Sequence, residues 1–188
     1  MPLLDVSKAT LEQRKEILKY ASEIRKFEIE RFWQRSLFFW GFIGAAFVAY
    51  AALYDKRQDL LPLLIACFGL VCSVAWALQN RGSKYWQEAW EQKVEVVETD
   101  VLGAPLFSNR EPLKAKGPWG AAEFSVSKLA IALSYFTVLI WAALFAKALP
   151  TTPWGTPPTN WAILIVLVTI AYIVGLFLCG RTGPPQPN

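Results

Sequence analysis

Four stretches of this 188-residue chain carry no charged side chain: Ser36–Tyr54, Leu60–Gln79, Leu129–Ala146 and Trp161–Gly180. A helix rises about 1.5 Å per residue and the hydrocarbon core of a bilayer is ~30 Å thick, so each stretch is long enough to cross it. A soluble core is a poor alternative, because the rest of so short a chain offers too little polar surface to cover four such helices. Composition agrees: 54% of the residues are hydrophobic, 14% are aromatic and the mean hydropathy is +0.30, which is apolar for a soluble domain. The expected fold is therefore an all-α integral membrane protein with four transmembrane helices arranged as two antiparallel hairpins.

Charge placement orients the spans. Of 19 Lys and Arg residues, eight lie between Lys8 and Arg35, seven between Arg81 and Lys128, and Arg181 follows the last span. Only Lys56, Arg57 and Lys147 fall on the other side. Basic residues near span ends stay in the cytoplasm, so both termini are expected there, in a multi-pass protein of a bacterial cytoplasmic (inner) membrane. Thirteen of the 15 acidic residues share that side. The surface is thus mixed in sign and suits a packed helical face better than a nucleic-acid groove. The first span follows 35 more polar residues and is expected to stay in place as a signal anchor.

The chain divides on this reading into a cytoplasmic amphipathic helix (1–35), a first hairpin (36–79), a cytoplasmic helix and loop (80–125), a second hairpin (126–180) and a short disordered tail (181–188). Thr10-Leu-Glu-Gln13 has capping-box spacing, and neither Gly nor Pro interrupts Leu11 to Trp40. One helix is expected to run from Leu11 to about Tyr54, ~65 Å long. Its Ile17, Tyr20, Ile24 and Phe27 recur on one face that needs a partner. Gly82 is expected to end the second span and Ser83 to cap a new helix reaching Glu98, with Trp86, Trp90, Val94 and Val97 as its apolar face. Phe107, Trp119 and Phe124 would return the chain to the interface, and Trp33, Trp119, Trp154 and Trp161 fit aromatic belts.

Small residues recur at helical spacing in the first two spans, Gly41, Ala45 and Ala49 in one and Gly69, Ser73 and Ala77 in the other. Such residues let backbones approach where no hydrophobic effect drives association, within a chain or between chains. The three cysteines, Cys67, Cys72 and Cys179, fall within spans and suit apolar packing. Histidine is absent, and no phosphate loop, metal-ligand spacing or nucleophile–base pair is visible, so neither catalysis nor a metal or cofactor is expected. No span holds an ionisable residue, which disfavours a coupled transporter.

The remaining candidate is the interaction motif Asn80, Arg81, Ser83, Lys84, Tyr85, Trp86 and Trp90, directly below the second span. Paired Trp residues on an exposed helix serve as contact anchors, and the same cations and rings also suit lipid headgroups. The run Arg-Gly-Ser-Lys-Tyr-Trp-Gln-x-x-Trp-Glu, after a charged helix and a close pair of spans, resembles small bacterial inner-membrane proteins of the RipA type over residues 23–98. That resemblance implies a homo-oligomeric ring in the cytoplasmic membrane linked to stress adaptation or growth in a host, and supplies no catalytic residue. The expected partners are the lipid bilayer, further copies of the chain and other proteins, without nucleic acid. The expected function is a non-enzymatic, homo-oligomeric scaffold or sensor. A ring-forming pore and an accessory subunit of a membrane hetero-complex are the alternatives.

Overall fold

The computed structural model describes residues 9–53, 60–103, 124–150 and 157–181. The expectations for Tyr54, the outer turn at 55–59, Phe107, Trp119, Trp154 and the tail beyond Arg181 lie outside these residues. Four helices account for the described chain: α1 (Leu11–Ala52), α2 (Leu61–Leu102), α3 (Val126–Ala148) and α4 (Pro157–Cys179). All four are long and apolar enough to cross a membrane, and among the described residues there is no strand. The protein is an all-α membrane protein.

The capping box forms as its spacing predicts: the Thr10 amide donates to Gln13 Oε1 at 3.0 Å, and the Gln13 amide donates to Thr10 Oγ1 at 3.4 Å. From there α1 runs unbroken into the first span. The second span behaves differently from expectation. Gly82 does not end it and Ser83 does not cap a new helix; α2 continues through both to Leu102. A glycine inside a helix costs only ~1 kcal/mol, which the packing of the flanking turns overrides. The true stop is Gly103, whose φ of 67° and amide bond to Thr99 O make it a left-handed helix end.

The chain forms two compact units, residues 1–34 with 81–129 and residues 35–80 with 130–188. The second holds the apolar core. Ile43, Ala46 and Tyr50 of α1, Ala66 and Trp76 of α2, and Trp141 of α3 are buried together. Trp141 is the hub, tilted on Phe47 at 4.5 Å and edge-on to Tyr50 at 6.1 Å. Polar links fasten the helices where no hydrophobic effect does so. Tyr50 donates its hydroxyl to Leu144 O at 3.2 Å, and Trp76 Nε1 reaches Ser36 Oγ at 3.4 Å. A smaller cluster of Leu63, Cys67 and Ala162 seats α4 on α2.

The two small-residue stripes have different fates. Gly69, Ser73 and Ala77 are buried, and a Cβ at Gly69 would collide with the Trp141 ring. This stripe therefore receives α3 within the chain, with Ser73 Oγ folded back on Gly69 O at 2.7 Å. Gly41 and Ala45 are exposed and Ala49 is half-buried; a Cβ at Gly41 meets nothing within 4 Å. α1 packs instead through Ile43, Ala46 and Tyr50.

Candidate interaction surface

In the first unit the start of α1 and the end of α2 form an antiparallel helical hairpin. Two ion pairs fix its register: Arg25 Nη2 to Glu91 Oε1 at 3.0 Å, and Arg14 Nη1 to Asp100 Oδ2 at 3.7 Å. Their side chains are partly exposed, so they set register more than they stabilise. Between them Ala21 of α1 is buried opposite Val94, Val97 and Glu98 of α2, and beyond the Arg25–Glu91 pair Phe32 is buried opposite Ser83. On α1 this contact runs through Arg14, Leu18, Ala21, Arg25 and Phe32, at steps of four, three, four and seven, which is a heptad seam.

That seam narrows the sequence reading of α1 and corrects that of α2. Tyr20 and Phe27 do not face α2: they are 66% and 49% exposed, while Ile17 and Ile24 are half-buried beside them. On α2 the inward face holds Val94 and Val97 as expected, but Ser83 takes the place given to Trp86, which is 42% exposed. Trp86 lies one side-step from the seam, and four-residue spacing alone cannot tell the centre of a face from its edge.

The structure does not gather the interaction motif into one patch. Asn80 belongs to the membrane-core unit, where it is fully buried and donates Nδ2 to Ala130 O at 3.3 Å. Ser83 is buried in the hairpin. Arg81 and Tyr85 are exposed, and Tyr85 stands edge-on to Trp86 at 5.5 Å. Lys84 pairs with Glu88, and Trp90 is half-buried with Lys93 Nζ 4.0 Å above its ring. Arg31 stacks in the same way on Phe27, at 4.9 Å. Sequence reasoning missed Arg14, Arg25 and their partners; the signal was the first heptad seam, masked by its charged members.

Seen down the hairpin, its two helices run in opposite directions, so residues rotated the same way from their seams fall on the same side. Glu91 is rotated one way, with Lys84, Glu88 and Glu95. Tyr20, Ile24 and Phe27 are rotated the other way, as are Trp86 and Val96. The hairpin therefore has one side where Lys84, Glu88, Glu91 and Glu95 gather, and another, the aromatic side, where Tyr20, Phe27 and Trp86 stand among Arg31, Lys93 and Asp100.

Among the described residues no group of three His, Cys, Asp or Glu is placed to hold a metal ion. What the surface can do chemically is bind through apolar area, and large exposed apolar patches of this kind mark interaction sites. A family model described as the octameric membrane protein family (8xMP) matches residues 15–150, taking in both helices of the hairpin, α3 and none of α4. Neither the search of curated proteins nor the search of solved structures returned a match.

Proposed function

The chain belongs to the octameric membrane protein family, and from that premise we propose that it is a non-enzymatic scaffold built of eight copies in a bacterial inner membrane. Both termini lie on the cytoplasmic side, together with the hairpin of residues 9–34 and 81–103. The charge asymmetry of the sequence supports this orientation. The observation that carries the reading is the aromatic side of the hairpin, which leaves Tyr20, Phe27 and Trp86 uncovered in a single chain. The likeness of residues 23–98 to RipA-type proteins points the same way, towards a ring that serves stress adaptation.

The reading has a direct test. Trp86→Glu together with Phe27→Glu places two carboxylates on the aromatic side, and the complex should break into smaller species in mild detergent. Unchanged size removes the hairpin from the subunit contact. Purification from native membranes without overexpression checks the scaffold reading against a hetero-complex. A homomeric core with clients below one-to-one ratio supports it, and a second subunit in fixed ratio overturns it.

A further inference from the structure

The aromatic side of the hairpin is a second helical seam, and its geometry specifies what covers it. Ile17, Tyr20, Ile24 and Phe27 step by three, four and three along α1; Trp86, Ala89, Lys93 and Val96 do the same along α2. At about 100° per residue, each of these seams lies roughly 100° around its helix from the one spent on the hairpin itself. Two seams near a right angle are the signature of a four-helix bundle, where each helix touches two neighbours at the corners of a square.

We propose that the aromatic side receives the same side of a second copy, so that two hairpins close a four-helix bundle. The α1 of each chain then packs between its own α2 and the α2 of the second copy. The inference rests on the homo-oligomeric reading above and adds its contact: eight chains group as four pairs.

Three observations favour a second copy as the occupant. The matched family is described as octameric, and the match covers both helices. The hairpin is roughly 35 Å long and ~20 Å wide, so one side offers ~700 Å², close to the ~800 Å² per partner of a stable interface. Among the described residues of this side, Arg31 and Lys93 lie over the Phe27 and Trp90 rings and Asp100 adds a carboxylate paired with Arg14, which does not make the basic rim an anionic membrane surface selects. Like meets like for an electrostatic reason. Stacking the aromatic side on the next hairpin's other side would desolvate Lys84, Glu88 and Glu91 against Trp86.

The register set by Arg25–Glu91 and Arg14–Asp100 brings Tyr20 of one copy level with Val96 of the other. The test uses the full chain in its membrane, with Tyr20→Cys and Val96→Cys introduced together in a Cys67→Ala, Cys72→Ala, Cys179→Ala background. Both crosslinks join the same two chains, so oxidation should give covalent dimers and nothing larger, at unchanged native mass. A ladder beyond the dimer means a head-to-tail contact and overturns the pairing. Chains that stay monomeric on the denaturing gel, while the native mass holds, overturn it as well. A native mass of one chain in the untreated protein removes the homo-oligomer reading together with the pairing.

Discussion

At Gly69 the backbone of α2 passes so close to the Trp141 ring that no side chain fits between them. Gly69→Ala must push the indole or separate α2 from α3, and overpacking of this kind costs about 1–3 kcal/mol. A lowered thermal midpoint in detergent, read by intrinsic fluorescence, is the expected result. Gly41→Ala, with open space around its new methyl, should leave the chain's own midpoint unchanged or slightly raised. Tyr50→Phe removes the hydroxyl's bond to Leu144 O, and interhelical bonds in membranes average ~0.6 kcal/mol, so a small destabilisation is expected. Both small-residue stripes were legible in the sequence. Which one meets a partner within the chain was not, because spacing describes a helix's own surface and says nothing of the Trp141 that comes to it from 72 positions away.

The helices themselves were the legible part. Spans are set by length and lack of charge, and the Thr10 box is local, so both could be read from contiguous residues. The hairpin was harder, since Gly82 and Ser83 carry the usual signs of a helix end and are overruled by the seam on either side. Gly82→Ala should stabilise α2 by about 0.5–1 kcal/mol, because the site is helical and nothing lies within 4 Å of the added methyl. The measurement is the midpoint of hairpin unfolding followed by helical circular dichroism. The ion pairs make a contrasting case. A double-mutant cycle on Arg25 and Glu91 should return a coupling below about 1 kcal/mol that shrinks with salt, as half-exposed pairs do. The inward face of α1 escaped the sequence reading because Arg14 and Arg25 sit in it, and charged seam positions look like solvent.

For the molecule as a whole, the four helices and the family match fix a multi-pass membrane protein whose matched portion stops before α4. α4 meets α2 through Ala162 and is otherwise mostly exposed along its length, as suits a helix facing lipid. Orientation comes from charge alone: reporter fusions at either terminus should behave as cytoplasmic, and moving the basic residues across the bilayer should disturb insertion. No feature of one chain's sequence counts subunits, because exposed apolar residues such as Tyr20, Phe27 and Trp86 carry no number with them. The number eight in the proposed assembly comes from the description of the matched family. Native mass spectrometry of the protein extracted from its own membrane tests the account most directly. Eight copies of a 21.1 kDa chain predict a homomeric complex of about 170 kDa, apart from lipid. A single chain of 21.1 kDa, or a complex holding a second protein in fixed ratio, would contradict it.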